Sequence, residues 1–346
     1  MFLELGIIFL LSFLLIKILV QYAPRLGLID IPNERSTHTR HTPRGAGIGF
    51  FLAVMIVVPF FHFVLVQNYS WVILAIMLVF VVGALDDHED VPPRAKFVVM
   101  AVSTLLIYAD KLVISDIGTL FGFHVTLGWF SLPFTLFAVL GFSNALNLID
   151  GLDGLAGGIS MVILGSFFVI GYQNGDEFMM VMSGSFFAAL TAFMLFNWHP
   201  ASIFMGDSGS LMLGFAITTV AIKALDYVPP VAILFLAALP IIDTIVVIMR
   251  RRRTGRGIFS ADQCHLHHIL REFFEGNTRK SVLFLIVMQA VYSLTGLQFT
   301  KNHDDTILLI LFLLNIVIVY FYTAAMIRRQ GRTCGKRKNA TPDSEG

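Results

Sequence analysis

Several acids in this sequence border long apolar runs, where a carboxylate is costly unless it meets water or a cation. GALDDHEDVPPRAKF places Asp86 and Asp87 side by side at the end of one run and Lys96 at the start of the next. A charge at the hydrocarbon centre costs about 2.5 to 3.5 kcal/mol on insertion scales, so acids at such boundaries face a wet cavity or a counter-ion. Two adjacent acids stay ionised together only beside a cation, such as Mg2+ or a lysine. NALNLIDGLDGLAGG supplies Asn144 and Asn147, then Asp150 and Asp153 three residues apart, with Gly151, Gly154, Gly157 and Gly158 among them. If a helix begins there, both carboxylates point to one side of its N-terminus, whose free N–H groups and glycine backbone suit a phosphate. In PASIFMGDSGSLMLGF, Asp207 sits between Gly206 and Ser208 just before another apolar run and is a candidate metal ligand. DQCHLHHILREFF carries His265, His267 and His268. Ser260 with Gln263 forms a capping-box signature and Gly276 a stop, predicting a helix over about 261 to 275 with His265 and His268 on one face. Phosphate or sugar contacts suit these histidines better than zinc, for which no partner set accompanies their spacing.

Oxygen ligands for Mg2+, basic groups and a helix N-terminus at one lip of a membrane bundle describe a phosphoryl-transfer site. A soluble nucleotide would reach it from the cytosol, and the second reactant would come sideways from the lipid. Arg35, Arg40 and Arg44 in RSTHTRHTPRGAGIGF could attract a lipid phosphate or serve only as interface anchors. The GAGIG within that stretch is no dinucleotide fingerprint, because no strand precedes it and a membrane helix follows.

The elements that must hold these loops are membrane helices. The 346 residues are 56% hydrophobic and only 14% charged, and no polar stretch is long enough to bury its own core. Apolar runs near 2–22, 45–66, 71–86, 95–109, 131–147, 155–171, 178–197, 209–225, 229–249, 281–298 and 306–327 predict an all-α polytopic membrane protein of about eleven transmembrane helices. Residues 1–327 read as one transmembrane domain and 328–346 as a basic, disordered cytoplasmic tail. Alternating the spans puts twenty of the 24 Lys and Arg on one face, which is therefore cytoplasmic, with the N-terminus outside and the C-terminus inside. The acidic and histidine loops share that face. The longer outer segment, LVISDIGTLFGFHVTLGWF, predicts a small external β-hairpin near 112–126. Cys264 and Cys334 lie in polar segments without a CxxC companion, so neither disulfide nor zinc site is expected.

LDD, NLIDGLDGLAGG, PASIFMGDSGS and DQCHLHH, in this order and at these intervals, resemble the motifs of the polyprenyl-phosphate N-acetylhexosamine-1-phosphate transferases. These are relatives of the phospho-N-acetylmuramoyl-pentapeptide transferase of peptidoglycan synthesis. The resemblance implies an enzyme of the bacterial inner membrane, its active site facing the cytoplasm. It would move a sugar 1-phosphate from a UDP-sugar to undecaprenyl phosphate in the bilayer, releasing UMP and starting a cell-envelope polysaccharide such as O-antigen. It implies Mg2+, with Mn2+ as a substitute, held by Asp207 and Asn147. Asp86 and Asp87 match the family's acidic pair, with Asp86 favoured as base, and Asp150 and Asp153 match acids of the same cleft. Lys96 matches a lysine that meets phosphate; Asn144, His265, His267 and His268 fall to substrate binding. HLHH points to UDP-N-acetylglucosamine, whereas RSTHTRHTPRGAG resembles the branch using N-acetylfucosamine or N-acetylquinovosamine; a UDP-MurNAc-pentapeptide donor is a further alternative. A homodimer is compatible with the family, and no nucleic-acid partner is expected. The rival from another class is an ion-coupled transporter, whose acids should lie near the membrane midplane.

Overall fold

The computed structural model describes residues 1–31, 41–255, 257, 264–299, 301 and 304–331. Its helices are α1 (Phe2–Tyr22), α2 (Ala46–Phe61), α3 (Phe63–Asn68), α4 (Ser70–His88), α5 (Pro93–Ala109), α6 (Ser131–Ile149), α7 (Leu155–Asn174), α8 (Glu177–Asn197), α9 (Asp207–Ala224), α10 (Pro230–Leu236), α11 (Ala238–Arg253), α12 (Leu266–Phe273), α13 (Thr278–Gly296) and α14 (Thr306–Arg329). Two antiparallel pairs accompany them: β1 (Ile29–Asp30) with β2 (Thr42–Pro43), and β3 (Asp116–Leu120) with β4 (Phe123–Thr126). The second pair is the hairpin that the β-branched and aromatic pattern of that segment predicts.

Every apolar run lies on helix. Among the described residues six helices are long and apolar enough by length and composition to span a bilayer, and the α10–α11 pair makes up to seven, which supports a multi-span helical protein without confirming eleven crossings. Two runs are broken. The run at 45–66 divides at His62 into α2 and α3, three residues after Pro59, and the run at 229–249 bends by 87° at Ala237. Such a break leaves backbone groups that must be satisfied inside the protein. Gln289 on α13, fully buried, accepts the Leu239 N–H at 2.9 Å and donates to the Leu236 carbonyl at 2.8 Å.

The centre of the bundle is α9, which is buried on all sides; only Asp207 at its start and Lys223 near its end keep partial exposure. Its neighbours approach closely because small residues meet backbone there. Gly47 of α2 leaves no room for a Cβ against Gly209, and Gly83 of α4 none against the Asp207 carbonyl. The N–H groups of Ala46 and Gly47, which lead α2, donate to the carbonyls of Phe204 and Met205, at 3.1 and 3.0 Å. One end of the bundle thus gathers the end of α4, the end of α6 and the start of α9. Cys264 is disulfide-bonded, overturning the expectation of free thiols; the chain's other cysteine, Cys334, lies outside the described residues, as do Arg35, Arg40 and the tail from 332.

Candidate active site

The N-terminus of α9 is fastened by Asp87. This carboxylate, 2% exposed, accepts the backbone N–H of Asp207 at 2.8 Å and of Ser208 at 3.1 Å, and the Ser208 hydroxyl. Four exposed N–H groups at a helix start need acceptors, and an anion there also meets the positive end of the helix dipole. Gly206 precedes with φ 75°, and a Cβ there would strike the Asp87 carboxyl group. The backbone of Asp207 is therefore fixed while its side chain stays free to act.

That side chain meets two partners. Lys96 places its ammonium 2.6 Å from Asp207 Oδ2 and 2.7 Å from Asp86 Oδ1, and Asn147 donates to Asp207 Oδ1 at 2.9 Å and to the Ser210 hydroxyl at 2.8 Å. Asp86 also accepts the Val91 N–H, at 2.9 Å. These groups open into a cavity of about 340 Å³ lined by Asp30, Arg44, Asp86, Asp87, Asn147, Asp150, Asp153, Asp207 and His268, with backbone and side chains of neighbouring loop residues. Asn144, one turn before Asn147, is half-buried and outside this lining.

Asp150 and Asp153 do not ride on one helix face as their spacing predicts. They belong to the turn at 150–154, and α7 starts only at Leu155 behind Gly154, whose φ is 80°. Asp150 projects into the cavity with no hydrogen-bond or ion-pair partner among the described residues. Burial first, then the charges of Asp207, Asp87 and Asp153, push its pKa up to about 7. Asp153 turns to a structural task. Its Oδ2 lies 2.6 Å from His199 Nδ1 and accepts the Ala201 N–H at 3.0 Å. Asn197 holds the same turn, accepting the Gly154 N–H at 2.8 Å.

The histidine segment divides likewise. His265 is not on a helix; it precedes α12, and its Nδ1 lies 2.7 Å from the Asp243 carboxylate, which also accepts the Leu266 N–H at 2.7 Å. The proposed capping box of Ser260 and Gln263 lies outside the described residues. His267 is 1% exposed, both ring nitrogens without a hydrogen-bond partner among the described residues, and it fills the space where Gly151 lacks a side chain. Burial, with His268 and His265 beside it, holds its pKa well below the ordinary imidazole range, so it is neutral. Only His268 reaches the cavity.

As donor chemistry, Asp86, Asp150 and Asp207 with the Asn147 amide offer hard oxygens, which fit Mg2+. The carboxylate surplus at the lining, against Arg44 and the adjacent Lys96, also calls for added positive charge. No three His, Cys, Asp or Glu converge on one point among the described residues, so holding a metal here requires Lys96 to leave Asp207 and the Asn147 amide to turn its oxygen inward. Sequence reasoning missed Asp30, Asn197, His199 and Asp243. Asp243 carries the one available signal, a single acid inside the apolar stretch ALPIIDTIVVIM; His199 depends on Asp153, far along the chain.

A model of the family described as Glycosyl transferase family 4 matches residues 69–225, which hold α4 through α9. Similar proteins extend the match over nearly the whole chain. The probable undecaprenyl-phosphate N-acetylglucosaminyl 1-phosphate transferase of Bacillus subtilis (strain 168) is 31% identical over 330 residues, 93% of this chain and 90% of the relative. The undecaprenyl-phosphate alpha-N-acetylglucosaminyl 1-phosphate transferase of Escherichia coli (strain K12) is 28% identical over 356 residues, covering 97% and 96%. That of Yersinia pestis is 32% identical over 297 residues, covering 83% and 80%.

Proposed function

The chain belongs to glycosyl transferase family 4, and on that premise we propose that it transfers N-acetylglucosamine 1-phosphate to undecaprenyl phosphate. The relatives' names carry the sugar and the lipid; UDP as the sugar's carrier rests on the motif resemblance. A phosphate oxygen of the lipid attacks the phosphorus bonded to the sugar, the bridge between the two phosphates breaks, and UMP leaves. One diphosphate is consumed and one is made. The observation that carries this reading is that Asp86, Asp87, Asn147, Asp150 and Asp207, drawn from separate segments, border one cavity with Lys96 at its edge.

Each group has a task by its surroundings. Asp207, with Asn147 and Asp86, is the place for Mg2+, which when bound offsets diphosphate charge. Lys96, once off the acids, takes a phosphate oxygen. Asp150 suits the base that removes the last proton of the acceptor phosphate better than Asp86, because Asp86 belongs to the metal site whereas the Asp150 carboxyl group stands unpaired with a pKa of about 7. Asp87, Asp153 and His265 set backbone; His268 borders the substrates. The polar cavity lies at the cytoplasmic side of a bacterial inner membrane in this reading, supported by the Lys and Arg bias of the loops. A transporter reading is disfavoured because the acids cluster at helix ends, not along a broken midplane helix.

The test is direct. Purified protein with undecaprenyl phosphate and Mg2+ is offered UDP-N-acetylglucosamine, UDP-N-acetylfucosamine, UDP-N-acetylquinovosamine and UDP-MurNAc-pentapeptide, and UMP is measured. Release with the first is expected, and no release with any would overturn the assignment.

A further inference from the structure

The hairpin β3–β4 lies at the other end of the bundle from the cavity, because α5 starts and α6 ends at the cavity. Its turn is Phe121–Gly122, with φ of 53° and 78°. A two-residue turn with both φ positive favours Asn-Gly; an aromatic residue in the first place is strained. Phe121 is nevertheless there, and 72% of it is exposed, as is 74% of Phe123 across the turn. Strain and exposure together mark a side chain whose contact lies outside the chain.

The position of the hairpin identifies that contact. At its base, Leu127 N–H donates to the Ser115 carbonyl at 2.8 Å and Ile114 N–H to the Thr135 hydroxyl of α6 at 3.0 Å. At its tip, Gly122 N–H donates to Asp304 at 2.7 Å, Phe121 N–H to the Thr306 hydroxyl at 2.6 Å, and Asp305 N–H to the Thr119 carbonyl at 2.8 Å. The hairpin therefore runs from the start of α6 to the start of α14, both long apolar helices. Ile307, one residue into α14, is 70% exposed, and Phe137 on α6 is 75% exposed, as lipid-facing residues would be. Trp129, 89% exposed, stands where α6 begins, the level at which aromatic side chains meet lipid headgroups.

We propose that the hairpin lies in the membrane interface, with Phe121, Phe123 and Trp129 seated among lipid headgroups and the first carbons of the acyl chains. The tip is continuous with the lipid-facing flank of α14 and the base with that of α6. Rings spread along two helix ends suit a fluid lipid layer better than a single compact docking patch.

Bromolipid quenching tests it in the full chain reconstituted into phosphatidylcholine vesicles. Trp71→Phe with Trp198→Phe leaves Trp129 as reporter. Adding Trp129→Phe and Phe121→Trp moves the reporter to the tip, and Phe123→Trp in that tryptophan-free background replaces it if the first variant does not fold. With phosphatidylcholine brominated near the carbonyl end of its chains, emission should fall about twofold or more at both base and tip relative to ordinary lipid. Unchanged emission at the tip overturns the proposal, whether or not Trp129 is quenched. Tip emission that ignores bromolipid but shifts with the protein-to-lipid ratio also overturns it, in favour of a second copy of the chain.

Discussion

Asp86 and Asp87 share a backbone and part company at their side chains, one turned to Lys96 and the other to the start of α9. Their substitutions should separate accordingly. Asp86→Asn keeps the fold and lowers turnover. Asp87→Asn replaces one of the two acceptor oxygens by a donor NH2, leaving one backbone N–H at the start of α9 without its buried acceptor, and costs about 1 to 3 kcal/mol, seen as a lower melting temperature in detergent before any activity is measured. Equal melting losses for both would contradict the division. Asp150 makes a prediction about pH. Its folded pKa near 7 lies above the ordinary carboxyl value of 3.8, so the stability this group contributes is full below the unfolded value and is lost as pH rises through about 7. The metal-free protein should melt higher near pH 4 than above pH 7 by this component, and Asp150→Asn should remove it; an identical pH profile in the variant would refute the assignment. The acids themselves were legible, because a carboxylate at the rim of an apolar run is anomalous. Their partners were not: spacing gives a direction only on a regular element, and Asp153 sits in a turn that faces His199.

At the scale of elements, the apolar runs marked every helix except α12, since burial of twenty or so apolar residues leaves few alternatives to one. The interruptions escaped. A bend of 87° at Ala237 is tolerable only because Gln289, more than fifty residues onward, supplies the missing hydrogen bonds, and no local pattern announces such a donor. The helix for the histidines proved shorter, beginning after His265, since Asp243 caps Leu266 from a distant element. The crossing of α2 and α9 makes a prediction of its own. Gly47→Ala puts a methyl group into the Gly209 backbone, where overpacking costs about 1 to 3 kcal/mol. The variant should lose turnover in step with stability although residue 47 is no part of the cavity lining. Full activity with an unchanged melting temperature would show that the two helices have room to part.

Across the whole molecule, the convergence of separate motifs on one cavity was the most legible feature, because order along the chain and shared loop parity already placed them on one face. The number of crossings was the least legible. Apolar content marks what avoids water, and α9, packed against protein on every side, shows that a run can avoid it without touching lipid, so the pattern alone does not fix how many runs cross. Orientation makes the remaining prediction. With both native cysteines replaced by serine, Lys301→Cys should react with an impermeant thiol reagent added outside intact cells, and Gly255→Cys should react only after the membrane is opened. The reverse pattern would turn the protein over in the bilayer.

The glycine-tight crossing that fixes Asp207 has a consequence for inhibition. Its immediate surroundings are backbone and the Asp87 clamp, so few substitutions can reshape that wall without dismantling it. Another part of the lining comes from a side chain on a separate arm, α12, which carries His268 together with Arg271 and Glu272. A compound that grips the metal-side wall should be hard to escape by mutation, whereas resistance to one that leans on the histidine arm should arise readily and map there.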